Sequence, residues 1–327
     1  MASVCLRLLI SAFAVVLFGA DASAQTPSAQ VNSTVTVTGR RPTQKDMVRS
    51  VMVPFVDLHA ARDPKTGLMV RAAPSGICPI TLGLSDAYDQ FVTARIAAVA
   101  RSVGVTVQKL GRCQPNIEVL FTDVPQSLVN DLAKRSWGGI LGFHHVQDER
   151  ALAHMSRPIQ AWYVTGTVSR SGGSDPQGAI GDPNDPLRGL KTAMDTQAVV
   201  DRDDGSSAWT GTGSRFAPPN SSLILNAMIV VDTGKLDGQA IGPIADYAAM
   251  LALSQARMPD HCGKLPSILD LLTPDCPADA RPQALTDGDL AFLKALYAAN
   301  IERFGSSARN NVANGMAQGL KTAKPAQ

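Results

Sequence analysis

Most of the short motifs that announce a chemistry are missing from this chain. No H-E-x-x-H occurs, so zinc held by two imidazoles one helical turn apart, with a glutamate to activate its water, is excluded. No G-x-S-x-G supplies a nucleophile elbow, and no G-x-x-x-x-G-K-[ST] supplies a phosphate-cradling loop. The cysteines nowhere take the C-x-x-C spacing of a structural zinc site. No cofactor is therefore expected. An excess of one charge is lacking as well: 30 basic and 28 acidic residues leave +2. Without a Lys/Arg block carrying interleaved aromatics, that balance gives no reason to expect nucleic acid or an anionic membrane as partner. Past the first two dozen residues no apolar run approaches the ~20 residues that span a bilayer.

What is present begins with a leader. Residues 1–24 carry an early positive charge at Arg7, the apolar run "LLISAFAVVLFGA" and the small-residue ending Ala22-Ser23-Ala24. That is the pattern of a secretory signal peptide cleaved before Gln25, which places the mature chain in the periplasm or outside the cell. Cleavage removes one charge of each sign, Arg7 and Asp21, and leaves about 300 residues, enough for a single large domain with long loops. Cys5 leaves with the leader. The remaining Cys78, Cys113, Cys262 and Cys276 are even in number in an exported chain, which points to disulfides. Three pairings are open. Cys78–Cys113 and Cys262–Cys276 are preferred because each staples neighbouring segments, the second contributing roughly 3 kcal/mol in the chain-entropy model.

Residues 25–45 are polar and rich in Pro, Ser and Thr, the composition of a flexible lead, and a single α/β domain is expected over 46–304. "SDAYDQFVTARIAAVARSV" predicts a helix opened by Ser85 and stopped by Gly104, its buried face formed by Tyr88, Phe91, Val92, Ile96, Val99 and Val103. "NIEVLFTD" predicts a strand and "PQSLVNDLAKR" a second helix opened by Pro125. A further strand is expected at 159–168, a long Gly/Pro/Asp/Ser loop from Ser169 to Arg188, and a central strand at "SSLILNAMIVVD". "GPIADYAAMLALSQ" and "LTDGDLAFLKALYAANIERF" read as helices, the latter capped by Thr286. From Gly305 large apolar residues are few, so 305–327 is expected to be a disordered tail. The fold class is thus α/β, with a mixed sheet and packed helices.

Two resemblances bear on function. The order of strand 221–232, the helix carrying "ADYAAMLALSQ", the cysteine loop with "LPSILDLL" and the helix "LTDGDLAFLKALY" resembles the zincin-like metallopeptidase architecture over roughly 222–302. The resemblance implies an active-site helix followed by a turn beneath a metal. Asp246 and Met250 would then stand at the histidine positions and Tyr247 at the glutamate, so what is implied is a pseudo-peptidase. "CQPNIEVLFTD", "AWYVTGTV" and "ADYAAMLALSQ" also resemble a set of uncharacterised secreted bacterial proteins, which supplies no catalytic residue. Separately, "VTVTGRRP" resembles the short segment near the mature N-terminus of TonB-dependent receptors, which implies a TonB-like contact through Val35–Gly39 by strand addition.

Other candidate groups are few. In "HHVQDERALAH", His144, His145, Glu149 and His154 could hold a metal if the segment were helical, although a solvated polar stretch explains them as well. Asp57 and His59, two apart on an expected strand, would share a face and could do acid–base work. With Asp246 and Tyr247 they are the candidate catalytic residues, against the simpler reading of Asp246 and Tyr247 as a structural polar pair in a helix's first turn. The sequence favours an exported, non-catalytic binding or structural module of the cell envelope, with an unidentified protein or envelope ligand as partner. The alternative is a periplasmic hydrolase with an unconventional active site.

Overall fold

The computed structural model describes residues 43–62, 69–73, 76–134, 141, 152–169, 220–298 and 305–322. The elements begin with helix α1 (Gln44–Met47), a π-helical turn (Val48–Met52) and α2 (Val53–His59). Strands β1 (Val70–Ala72) and β2 (Pro79–Leu82) precede α3 (Asp86–Ser102), β3 (Ile117–Thr122) and α4 (Pro125–Lys134). Then come β4 (Ile159–Ser169), β5 (Asn220–Asp232), α5 (Ile241–Ser254), a 3-10 turn (Ile268–Leu272), α6 (Asp287–Ala298) and α7 (Gly305–Thr322). This is an α/β protein with a mostly parallel, mixed sheet.

The sheet is built on β5, whose apolar side chains serve both faces as a strand covered on both sides requires. It pairs in parallel with β1 through its first half and with β3 through its second, and β2 lies beyond β3. The antiparallel β4 runs along β5 with an irregularity between Val164 and Thr165. Side chains alternate. Val119, Ile229 and Val231 point into the main core under α3 and α5, while Met228, Val230 and Trp162 meet Val129 and Leu132 of α4 on the other face. Helix α5 is apolar on nearly every side and buried from Ile244 to Ser254, as such a helix must be. Thr286 caps α6, its Oγ1 accepting from Asp289 N–H at 3.0 Å while Asp289 accepts from Thr286 N–H at 2.9 Å.

Four expectations from the sequence are corrected. On α3, Val92, Ile96, Val99 and Val103 are buried, but Tyr88 and Phe91 are 55% and 45% exposed. Phe91 directly precedes Val92 and so stands about 100° round the helix from it. Second, 53–59 is helix rather than strand: Met52, Phe55, Val56 and His59 are buried at helical spacing, and Pro54 sits in the first turn where its missing N–H costs nothing. Third, within the tail Gly305–Thr322 is a helix. Helix α7 buries Ala308, Val312, Ala313, Met316 and Ala317 against the main core. Its small residues allow a close approach to α6, since a Cβ on Gly315 would stand 2.9 Å from that of Ala295. The lead expected over 25–45 also ends sooner, because the capping box of Thr43 and Asp46 starts α1 at Gln44.

Cys78 is bonded to Cys113 and Cys262 to Cys276, with Cα–Cα distances of 6.2 and 5.2 Å. Among the described residues no helix is long and apolar enough to cross a membrane.

Candidate functional site

Helix α5 holds Gly242-Pro243 in its first turn and brings Asp246 and Tyr247 inward in its second. Asp246 is 2% exposed, yet it is not a free carboxylate. Arg95 of α3 donates from Nε and Nη2 to its two oxygens at 2.5 and 3.0 Å, and Leu285 N–H donates to Oδ2 at 3.0 Å. The bidentate pair raises the already high pKa of Arg95, whose charge is fixed. Asp246 thus ties α3, α5 and the approach to α6 together, with three donors on its two oxygens.

Tyr247 is buried in its ring, and burial pushes its phenol well above the usual tyrosine range, an effect that the nearby Arg157 guanidinium opposes. It belongs to the wall of a cleft of about 480 Å³ between the entry to β4 and the loops that follow α5 and the 3-10 turn. The cleft lies at the carboxyl end of β5, where Ile159 pairs with Val231 and Asp232 N–H donates to Pro158 O at 2.8 Å. In open parallel sheets this is the end at which ligands bind. Its polar wall holds two pairs: Arg157 with Asp260 at 2.6 Å, and His261 Nδ1 with Asp275 at 2.7 Å. Pro158, Met258 and Leu272 supply apolar surface.

The sequence reading missed Arg157, Asp260, His261 and Asp275. A signal for two of them was present: His261 immediately precedes Cys262, and Asp275 immediately precedes Cys276. A disulfide that joins two cysteines brings their chain neighbours together, so the bond forms the frame of the His261–Asp275 pair.

The remaining candidates do not assemble. On α2, Asp57 and His59 stand roughly 200° apart around the axis rather than on one face. Asp57 is exposed and accepts from Arg62 at 2.5 Å and Arg309 at 3.2 Å. His59 is 2% exposed, stacks on Phe55 at 3.9 Å between ring centroids, and holds Phe55 O at 2.8 Å through Nδ1. Its Nε2 is buried without a partner, and burial depresses its pKa to about 4, so the ring is neutral. No acid–base pair exists between Asp57 and His59. His144, His145 and Glu149 lie outside the described residues, as does Val35–Gly39. His154 is exposed, and among the described residues its hydrogen bond is made by its carbonyl, which accepts from Gln160 at 2.8 Å. Among the described residues no group of three or more His, Cys, Asp or Glu side chains could hold a metal ion.

The chain matches no protein-family model, no curated protein and no solved structure.

Proposed function

We propose that this protein is an exported, non-catalytic binding module of the cell envelope that takes a small polar ligand in the cleft beside Tyr247. The observation that carries the reading is the state of Asp246: the residue at a metal-ligand position in the zincin-like pattern is spent on Arg95 and Leu285 N–H. The order of β5, α5, the 3-10 turn and α6 supports a degenerate metallopeptidase-like module. The leader pattern and the two disulfides support export to an oxidising compartment, the periplasm or the exterior. The cleft supports binding because it sets paired charged groups, as donors and acceptors, beside apolar surface in one concavity. The test is a thermal-shift screen of small polar compounds on the mature protein, repeated on Tyr247→Phe and His261→Ala. Stabilisation of the wild type that both substitutions weaken is expected; stabilisation that neither changes removes the cleft from the account.

A second reading, a periplasmic hydrolase, is favoured by one observation: His261, Asp275, Tyr247 and Arg157 all line one cleft. A histidine oriented by a carboxylate can act as a general base. It lacks a nucleophile, however, since among the described residues no hydroxyl or thiol is bonded to His261. Turnover of ester, glycoside or peptide substrates that disappears in His261→Ala would establish this reading over the first.

A further inference from the structure

A second concavity lies far from α5's cleft in the chain, between the first and last helices. It measures about 920 Å³ and is lined by Gln44, Lys45, Val48, Arg49, Val53, Arg309, Asn310 and Asn314. Among the described residues its charge is one-sided: three cations and three side-chain amides line it, with no carboxylate. The +2 net charge of the chain conceals this local concentration.

The three cations differ in how they are held. Arg309 is anchored, its Nη1 donating to Asp57 at 3.2 Å, while its Nε is buried and bonds nothing. Arg49 and Lys45 are exposed and have no salt-bridge partner among the described residues. Asp57 is shared between Arg309 and Arg62, so one carboxylate faces two guanidiniums and cannot neutralise the groove. Lys321 adds a further cation, donating to Gln44 at 2.6 Å. The backbone is unusual at the same place. Val48 and Arg49 open the π-helical turn Val48–Met52, a winding rare in proteins and concentrated at functional sites. It interrupts what would otherwise be one regular helix from α1 into α2.

We propose that this groove binds a molecule bearing a phosphate group. Guanidiniums suit phosphate because their planar N–H donors match its oxygens and form charge-assisted bonds, and two of them line one groove here beside an ammonium. A bare oxyanion would fill only a small part of the volume. The body of an organic phosphate would occupy the rest, against Val48 and Val53 and within reach of the Asn310 and Asn314 amides. The same chemistry is offered by a phospholipid headgroup at the membrane surface and by a free phosphate ester.

The experiment uses the full mature chain and three probes: inorganic phosphate, phenyl phosphate, and vesicles of phosphatidylglycerol and phosphatidylcholine against vesicles of phosphatidylcholine alone. Isothermal titration follows the small probes and co-sedimentation the vesicles. Saturable binding of phenyl phosphate, tighter than that of inorganic phosphate, is expected to weaken about tenfold or more in Arg49→Glu. Lys45→Gln should weaken it less. Both positions are exposed, so both variants should melt with the wild type. Co-sedimentation with the anionic vesicles alone, lost in Arg49→Glu, assigns the headgroup; phenyl phosphate binding without co-sedimentation assigns a soluble ester. No saturable binding in any arm, or binding that survives Arg49→Glu unchanged, overturns the proposal.

Discussion

Removing either partner of the Arg95–Asp246 pair should cost measurable stability, and the two removals should differ. Asp246 is almost fully buried, whereas the Arg95 side chain is 42% exposed. Arg95→Ala leaves a buried carboxylate with only Leu285 N–H for company, the uncompensated charge that makes broken buried pairs cost about 3–5 kcal/mol. The open path to water on the arginine side lets solvent reach the site, so the lower end, about 3 kcal/mol, applies. Asp246→Ala frees an arginine that can turn to solvent and strands one backbone N–H, for about 1–3 kcal/mol. Asp246→Asn keeps an acceptor for Leu285 N–H and should cost less than Asp246→Ala. Urea unfolding of the wild type, both alanine variants and the double variant gives the coupling energy directly. Arg95→Ala should lie below Asp246→Ala, and the double variant should lose less than the sum of the single losses. Alanine variants at both positions within about 0.5 kcal/mol of wild type, with no coupling, would refute the reasoning that the pair is a structural tie.

His59 should make the fold acid-sensitive. Its folded pKa of about 4 lies below the ordinary 6.5, so the unfolded chain binds the proton first and stability is lost as pH falls from about 6.5 towards 4. The loss from this one group between about pH 8 and about pH 5 is about 2 kcal/mol, and urea unfolding of His59→Leu should lack that component. Opening the Cys262–Cys276 bond by paired serine substitution should cost roughly 3 kcal/mol through the released loop, read as a lower melting temperature. The same variant should bind cleft ligands more weakly, because His261 and Asp275 lose their frame. At the contact of α6 and α7, Gly315→Leu should destabilise by about 1–3 kcal/mol through overpacking, whereas the exposed Asn314→Ala should be neutral on the same unfolding curve.

The strand at β5 and the cap at Thr286 were legible because each is a local code: a run apolar on both faces, and a hydroxyl three residues from an acid. The buried stripe of α3 was legible in part, since periodicity names the residues that share a face but not how far along the helix that face is covered, and Tyr88, one turn before Val92, is exposed. At His59 the expected strand is a helix. Met52, Phe55, Val56 and His59 fit a helix, but a short stretch with Val and Phe also fits a strand, and tertiary packing decided. Helix α7 eluded hydropathy because, Val312 and Met316 aside, its contact with the core is made by Ala and Gly, which bury little area each and permit close packing instead. Asp246 was legible as a polar residue in an apolar helix. Its partner, Arg95, lies 151 residues away in sequence, beyond any local pattern. The cleft was least legible of all, because Arg157 and Tyr247 come to line one cleft only through the antiparallel pairing that sets the entry to β4 against the end of β5.

The most direct test of the central claim, that α5 is a structural helix without a metal, is elemental analysis of protein purified from its native compartment without added metal, before and after chelation. The account predicts no stoichiometric metal in either sample and the same melting temperature in both. One zinc per chain, removed by the chelator together with part of the stability, would contradict it and turn attention to ligands outside α5.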